Sequence, residues 1–204
     1  LHSTSRRQRQ MCIRDRKYYS LAKLKRLIRS LALFQFTHLQ LHFSENEGFG
    51  IESLRHPEIC SPSHLSQEEI RELIAYAEKF YLEIIPDIDT PGHVRQLLTH
   101  HPEWCLPKTD GSRETSALDI LNPEAVDFIK EIYQEFAELF QESRYFHIGA
   151  DEFVDFDQLD QYPSLTSTAL KLGSTASGIE PFIQYGNDLI YYLNGFGFIV
   201  RVWN

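Results

Sequence analysis

The fold of this chain is decided by the stretch Tyr145-Phe146-His147-Ile148-Gly149-Ala150-Asp151-Glu152-Phe153. An aromatic and β-branched run is followed by two small residues and then by two adjacent carboxylates. Successive side chains of a β-strand point to opposite faces, so neighbouring acids can share a pocket only just past the strand end, where Gly149 and Ala150 break the alternation. The stretch therefore predicts a strand that delivers Asp151 and Glu152 to one pocket. The competing interpretation is an exposed acidic corner, the usual environment of such residues.

Strands and helices alternate on both sides of this stretch. Apolar periodicity and start signals, among them the Ser66/Glu69 capping box and Asn122-Pro123, predict the helices. The predicted helices cover about 20–34, 66–80, 122–139 and 181–194, the predicted strands cover 37–43, 82–89, 145–150 and 198–203, and the residues from 94 to 121 and from 155 to 176 are expected to be loops. This order favours a parallel sheet covered by helices, either a barrel or a doubly wound layer.

Each predicted strand ends in a polar cluster on its carboxyl side. The clusters are Glu45-Asn46-Glu47, Asp89-Thr90-Pro91-Gly92-His93, Asp151-Glu152 and Trp203-Asn204. In a (β/α)₈ barrel this face carries the active site, so four clusters at one rim favour a barrel with its site there. No glycine-rich phosphate loop follows a predicted strand, which weakens a nucleotide-binding interpretation.

The composition is that of an acidic globular protein. The 204 residues have a net charge of −9, and 42% of them are hydrophobic. An acidic surface repels phosphate backbones, so nucleic acid is not expected as a partner. No apolar run approaches the length of a membrane span. Cys12, Cys60 and Cys105 are odd in number and lack metal-type spacing, so no disulfide framework is indicated.

Residues 1–16 are expected to stand outside the fold. They hold five Arg and one Asp and show no apolar period, and Met11-Cys12-Ile13-Arg14-Asp15-Arg16 is similar to translated sequencing-adapter read-through. Such segments are excluded from fold reasoning. We therefore predict a non-native or disordered segment over 1–16 and a folded domain over 17–204.

Three motifs resemble those of glycoside hydrolase family 20, the β-N-acetylhexosaminidases and lacto-N-biosidases. They are His-x-Gly-Ala-Asp-Glu at 147–152, Asp89-x-Pro91-Gly92-His93, and Leu41-His42-Phe43-Ser44-Glu45-Asn46-Glu47-Gly48-Phe49. The resemblance runs from about residue 17 to 204 and implies an incomplete (β/α)₈ TIM barrel, roughly strands two to five with their helices. Half a barrel has two open edges, so this polypeptide is expected to be unstable or to aggregate, and to show little activity.

The resemblance also implies retaining, substrate-assisted hydrolysis of terminal β-linked N-acetylhexosamine. Glu152 is then the general acid and base, with a pKa raised towards the working pH, and Asp151 stays ionised and orients the 2-acetamido group of the sugar. His93 supports Glu152, and its partner is Glu45, where the family usually has Asp.

Two further residues are assigned by the same resemblance. Trp203 is expected to help wall the sugar pocket, although a plain core tryptophan is an equal alternative. Arg16 falls where the family has an arginine that binds sugar hydroxyls. Asp87 stands where the family commonly has Glu.

Several alternatives stay open. One is a lacto-N-biosidase of the same family, and another is a non-catalytic carbohydrate-binding relative. The pairs His38 and His42, and His100 and His101, suggest a metallohydrolase, although core or surface histidines are the default. We expect no cofactor or metal, a glycan with a terminal 2-acetamido sugar as partner, and, from the resemblance, an extracellular or cell-surface location in a bacterium.

Overall fold

A five-stranded parallel sheet forms the centre of the chain in the computed structural model, which describes residues 10–13, 18–173 and 177–203. The strands are β1 (Gln10–Ile13), β2 (His38–His42), β3 (Ser44–Glu45), β4 (Gly48–Phe49), β5 (Glu83–Thr90), β6 (Cys105–Pro107), β7 (Arg113–Leu118), β8 (Tyr145–Gly149) and β9 (Ile199–Arg201). The sheet order is β1-β2-β5-β8-β9, and all neighbours are parallel. The pairs β3/β4 and β6/β7 form short antiparallel hairpins outside this sheet.

Helices connect the successive strands of the sheet. They are α1 (Leu21–Leu33), α2 (Gln67–Glu78), α3 (Pro123–Leu139), α4 (Pro163–Lys171) and α5 (Glu180–Asn194). The order of strands in the sheet follows the chain without reversal, as in a barrel wall, whereas a doubly wound sheet reverses at a switch point. Within the described ranges the sheet does not close on itself. The fold is therefore α/β with a parallel sheet.

The two faces of the sheet differ because the strand sequences alternate. Leu39 and Leu41 of β2, like Ile84 and Ile88 of β5, pack into one hydrophobic core that also contains the buried residues of the helices. The opposite face buries Ile85 and a set of polar side chains, which are His38, Gln40, His42, Asp87, Asp89 and His147. Buried polar groups are costly unless they are hydrogen-bonded, so a face of this kind is built for a purpose other than packing.

The predicted helix starts of α2 and α3 are confirmed. The Ser66 hydroxyl accepts a hydrogen bond from the Glu69 N–H at 3.1 Å, and the Glu69 carboxylate accepts one from the Ser66 N–H at 3.0 Å. Asn122 caps α3 by accepting from the Glu124 N–H at 3.0 Å, with Pro123 in the first turn. These caps satisfy backbone donors that the helices leave open, and they fix where each helix begins.

Two predicted loops contain regular structure. The β6/β7 hairpin lies within 94–121, and its connection includes Asp110-Gly111, with Gly111 at φ 84°. An Asp-Gly pair is a strong hairpin signal, so the expectation of a loop over 94–121 is wrong for these residues. The 155–176 segment contains α4, whose buried residues are only Leu165 and Ala169. So few apolar positions give a short helix little periodicity to detect.

The expectation for residues 1–16 is wrong for Gln10–Ile13. These four residues form β1, which pairs with β2 in parallel register from Gln10 opposite His38 to Ile13 opposite Leu41. Without this pairing the backbone groups at the edge of β2 would lack ladder partners, which explains why an apparently patternless segment joins the sheet. The described sheet therefore holds five strands rather than the four that the sequence predicted, while residues 1–9 and 14–16 lie outside the described residues.

No helix in the described part of the chain is both long enough and apolar enough to cross a membrane.

Two helices anchor the end of β5 through a chain of hydroxyl groups. The Tyr185 hydroxyl of α5 donates to Thr90 Oγ1 at 3.0 Å, Thr90 Oγ1 lies 2.7 Å from the Tyr133 hydroxyl of α3, and that hydroxyl donates to the Ile88 carbonyl at 3.0 Å. Both tyrosines are buried, and burial raises the pKa of each phenol. The side chain of Thr90 is thus held by α3 and α5 at the point where the polar cluster 89–93 begins.

Tyr133→Phe should lower the free energy of unfolding by about 1–3 kcal/mol, because the buried Thr90 hydroxyl and Ile88 carbonyl each lose a partner. Denaturant unfolding measures the loss. Tyr191→Phe is the matched control, since Tyr191 is 82% exposed and its variant should stay within about 0.5 kcal/mol of the parent. Equal effects of the two changes would contradict this account of the end of β5.

Candidate active site

Two glycines allow the carboxyl ends of β5 and β8 to approach each other. A Cβ on Gly149 would lie 1.3 Å from Asp89 Oδ1, so the carboxylate of Asp89 occupies the space that a side chain would need. A Cβ on Gly92 would lie 2.6 Å from the Asp151 carbonyl oxygen and 2.9 Å from that of Glu152. The loops after the two strands are therefore in direct backbone contact.

The backbone after β8 turns sharply to present the two acids. Gly149, Ala150 and Glu152 have φ values of 70°, 62° and 45°, and His93 opposite them has a φ of 58°. Positive φ is unfavourable for residues with a side chain and persists only where surrounding structure enforces it, commonly at functional sites. The break in alternation predicted at Gly149 and Ala150 is thus present.

Hydrogen bonds and aromatic packing hold this turn in place. The Ala150 N–H donates to the Thr90 carbonyl at 3.1 Å, and the Trp203 N–H donates to the Gly149 carbonyl at 2.9 Å. Phe153, directly after the acids, is buried and stacks on Phe182 of α5 with ring centroids 5.6 Å apart. The acid pair is therefore fixed from both sides.

His93 lies beside both acids. Its Nε2 is 3.1 Å from Glu152 Oε2. One carboxylate oxygen each of Asp89 and Asp151 and one ring nitrogen of His93 all lie within 4.8 Å of one another. Asp151 is half-buried, whereas the Glu152 side chain is 70% exposed. The structure thus brings together the predicted residues Asp151, Glu152 and His93, and the two acids have different surroundings.

Glu45 reaches His93 in spite of being longer than the aspartate that the family usually has there. Its Oε2 lies 3.4 Å from His93 Nδ1, and its Oε1 lies 3.2 Å from His42 Nε2. Glu45 is itself buried, so its carboxylate is held between two imidazoles. The predicted pairing of Glu45 with His93 is geometrically present, and His42 is an additional neighbour.

Asp87 lies at the centre of the buried polar face and was not assigned a role from the sequence. It accepts hydrogen bonds from Gln40 Nε2 at 2.7 Å, His42 Nδ1 at 3.0 Å and His147 Nδ1 at 3.1 Å. Burial alone would raise the pKa of Asp87, but the hydrogen bonds from His147 and His42 outweigh burial and lower it to about 2. Asp87 is therefore a buried carboxylate that stays ionised.

The surroundings of His42 favour its protonated form. Burial lowers its pKa, but the hydrogen bond and charge of Asp87 and the charge of Glu45 outweigh that effect and raise the pKa above its ordinary value. For His42 the sequence does carry a signal, because polar side chains recur at alternate positions of β2, a strand whose residues are all buried. From the sequence alone, the default interpretation of that pattern is ordinary core or surface histidines.

The proton of His147 can be assigned from its surroundings. The Gly149 N–H lies 3.1 Å from His147 Nδ1, which also faces Asp87. One ring nitrogen cannot both accept from the Gly149 N–H and donate to Asp87. Because an ionised carboxylate only accepts hydrogen bonds, we place the proton on Nδ1 and direct it to Asp87, so that the Gly149 N–H makes a close contact with Nδ1 rather than a hydrogen bond. The His147 ring in turn contacts the Trp203 ring, with centroids 4.3 Å apart.

Of the two predicted substrate-binding residues, Trp203 and Arg16, the structure describes Trp203. Trp203 lies against His147 at the rim, next to the turn that carries the acids. Arg16 lies outside the described residues.

The histidine pairs that suggested a metal do not form a cluster of ligands in the described residues. Among the described residues, the side chains close enough together to bind a cation are those of Asp89, His93 and Asp151, which lie at the acid pair itself. His38 lies at the far end of β2 from His42, 3.6 Å from Glu83.

An open groove of about 490 Å³ begins at Glu152. Its other walls come from the β6/β7 hairpin and the segment before α4, where Glu114 is 2.7 Å from Lys108 Nζ and 3.4 Å from the Tyr162 hydroxyl. The exposed side of Glu152 thus faces this polar groove, while its other side faces His93.

Gly149→Ala should destabilise the protein far more than Gly111→Ala. Both glycines have positive φ, at 70° and 84°, so both changes carry backbone strain of about 1–2 kcal/mol. Only Gly149 would also force Asp89 to move, because nothing lies within 4 Å of a Cβ at Gly111. Denaturant midpoints of the two variants give the comparison, and equal losses would contradict the close approach of the two strand ends.

Stability should fall as the pH drops from about 4 to about 2. The folded-state pKa of Asp87 is lowered from 3.8 to about 2, so its stabilising contribution is full above the unfolded value and is lost as the pH falls through the folded one. The shift corresponds to roughly 2 kcal/mol. Asp87→Asn should be less stable overall and should lose this part of the acid dependence. Parallel acid limbs for variant and parent would show that Asp87 is not responsible.

Comparison with known proteins agrees with the geometry. The sequence model of the catalytic domain of glycosyl hydrolase family 20 matches residues 11–195. The chain is 32% identical over 143 residues to a lacto-N-biosidase of Bifidobacterium bifidum, covering 70% of this chain and 13% of that protein. It is 33% identical over 169 residues to a β-hexosaminidase of Vibrio furnissii, covering 69% of this chain and 28% of that protein.

A solved structure shows the same fold. The chitobiase of Flavobacterium johnsoniae superposes with a TM-score of 0.85 at 26% identity, over 96% of this chain and 31% of that one. The chain thus spans less than a third of the length of each of these three proteins. With matching motifs, fold and family model, the chain belongs to glycosyl hydrolase family 20.

Proposed function

We propose that the protein containing this chain hydrolyses terminal β-linked N-acetylhexosamine from glycans or glycoconjugates, with retention and with assistance from the substrate. The observation that carries the proposal is the acid pair, in which Glu152 lies 3.1 Å from His93 while the half-buried Asp151 has a carboxylate oxygen within 4.8 Å of a ring nitrogen of the same histidine. Relatives named β-hexosaminidase and lacto-N-biosidase support this class of substrate. Release of a lacto-N-biose disaccharide is the alternative within the family.

In the proposed first step, the carbonyl oxygen of the 2-acetamido group attacks the anomeric carbon as the glycosidic bond breaks. Glu152 gives its proton to the departing oxygen, and an oxazolinium intermediate forms. Asp151 accepts a hydrogen bond from the acetamido N–H and stabilises the developing positive charge. The half-buried position of Asp151 suits a group that binds the sugar, and the exposed position of Glu152 suits a group that meets the leaving alcohol.

In the second step Glu152 takes a proton from water as the water attacks the anomeric carbon. The oxazolinium ring opens, and the sugar is released with its original anomeric configuration. His93 and Glu45 position Glu152 for both steps. Trp203 walls the sugar pocket, and Arg16 contributes a hydrogen-bond donor to sugar hydroxyls.

We further propose that the five parallel strands are part of a (β/α)₈ barrel. Strand order that follows the chain, with helices in the connections, supports this arrangement. The small share of each relative that the chain spans supports the view that further strands belong to the same catalytic domain. The 204 residues alone would then have little activity, so the assays below use the full-length protein.

Three competing functions can be separated in one assay. The full-length protein is given an aryl N-acetyl-β-glucosaminide, with and without a chelator, and with a thiazoline that mimics the oxazolinium intermediate. Turnover that the thiazoline inhibits and the chelator does not affect supports the proposed mechanism. Sugar binding without turnover would indicate a carbohydrate-binding relative, and loss of turnover with chelator would indicate a metallohydrolase.

Glu152→Gln and Asp151→Asn should separate the roles of the two acids. Glu152→Gln should lower kcat by about 10²–10⁴-fold for substrates with poor leaving groups and much less for activated aryl glycosides, because only the former need a proton donor. Asp151→Asn should impair both kinds of substrate, because both need the acetamido group. The same dependence on leaving group for the two variants would disprove this division of roles.

A further inference from the structure

A line of polar side chains leads to the acid pair, joined by hydrogen bonds from Asp87 to Glu45 and by ion-pair contacts from Glu45 through His93 to Glu152. Asp87 of β5, which is fully buried, receives hydrogen bonds from two side chains of β2 and one of β8. An ionised carboxylate has enough lone pairs for all of these donors, whereas the isosteric amide of asparagine has one acceptor oxygen and would turn its own N–H groups towards some of them. The arrangement therefore needs a carboxylate at this position.

One branch of the line leads from Asp87 to the proposed proton donor. His42 bridges Asp87 and Glu45, with its Nδ1 3.0 Å from one and its Nε2 3.2 Å from the other. Both neighbours offer carboxylate oxygens to the two ring nitrogens, an arrangement that favours a proton on each nitrogen of His42. Glu45 then contacts His93 at 3.4 Å, and His93 contacts Glu152 at 3.1 Å.

The other branch leads from Asp87 to the predicted sugar wall. His147 donates to Asp87 Oδ1 at 3.1 Å, and its ring contacts the Trp203 ring at a centroid distance of 4.3 Å and an interplanar angle of 52°. The orientation of the His147 ring is therefore fixed by Asp87. Trp203 packs on that ring, so its position depends on the same carboxylate.

We propose that Asp87 is a positioning residue that aligns the proton donor Glu152, through His42, Glu45 and His93, and the pocket wall Trp203, through His147. This inference rests on the proposed hydrolase function. It goes beyond that function because it assigns His42, His147 and Asp87 to the site and links proton donation to sugar binding through one buried charge. The lowered pKa of Asp87 and the raised pKa of His42 both favour the ion-paired form at this junction.

The test compares three variants of the full-length protein. Asp87→Asn affects both branches, and His42→Gln affects only the branch to Glu152. Glu135→Gln is the matched control, since Glu135 is also buried and accepts hydrogen bonds from Ser53, Leu54 and Gln67 on the helical side of the sheet. Thermal unfolding of each variant separates loss of stability from loss of function.

The readouts are kcat on aryl N-acetyl-β-glucosaminides of poor and good leaving groups, and the inhibition constant of the thiazoline. Asp87→Asn should lower kcat for the poor leaving group at least tenfold more than for the good one, and should weaken thiazoline binding severalfold. His42→Gln should show the same leaving-group dependence with little change in thiazoline binding. Glu135→Gln should show neither effect, even if its stability falls by as much.

If Asp87→Asn does not fold, a change in side-chain length provides the test. Asp87→Glu should push His42 towards Glu45 and lower kcat for the poor leaving group. Adding Glu45→Asp should restore most of the lost kcat, because the shorter side chain makes room for the displaced His42. No recovery in the double variant would overturn the inference.

Failure of the inference can be told from failure of the proposed function. An unaltered full-length protein without turnover would overturn both. Turnover in that protein and the expected behaviour of Glu152→Gln, together with an Asp87→Asn variant that behaves like Glu135→Gln, would overturn the positioning role of Asp87 alone.

Discussion

The close approach of the β5 and β8 strand ends is the constraint on which the site depends. Asp89 fills the space beside Gly149, and Gly92 lies against the backbone of Asp151 and Glu152. Larger residues at either glycine would separate the loops, and His93 would no longer face Glu152. The positive φ values at the three non-glycine positions His93, Ala150 and Glu152 show that this contact is kept in spite of local strain. The hydroxyl chain from α3 and α5 to Thr90 supports the same loop from the opposite side.

A second constraint is the division of the sheet into an apolar and a polar face. Leucine, isoleucine and phenylalanine side chains on one face pack with the helices and provide most of the hydrophobic stabilisation. The polar groups of the other face can be buried because they are paired with one another, with His42 lying between the carboxylates of Asp87 and Glu45. The core that stabilises the fold and the network that serves the site therefore occupy opposite sides of the same strands. This separation allows polar residues to be buried without weakening the apolar core.

Much of the fold could be predicted from the sequence because its signals are local. Period-two and period-3.6 patterns locate four of the five sheet strands and four of the five helices, and capping residues fix two helix starts. The acid pair, His93 and Glu45 could be recognised from short motifs at strand ends. Strand β1 could not, since its four residues are ordered by pairing with β2 and carry no periodicity of their own. The role of Asp87 was also out of reach, because it depends on side chains 45 and 60 residues distant along the chain that only the folded sheet brings together.

The exposure of Glu152 has a consequence for the order of events in a two-step hydrolysis. A retaining mechanism requires the same carboxyl group to act first on the outgoing alcohol and then on an incoming water, and both must use the same face of the sugar. The groove between the β6/β7 hairpin and Tyr162 is open at Glu152, so it can serve as a common route for departure of the alcohol and entry of the water. In the proposed mechanism, occupancy of that groove by the first product would delay arrival of water, and a more strongly retained alcohol would favour transfer of the sugar back to a hydroxyl group over hydrolysis.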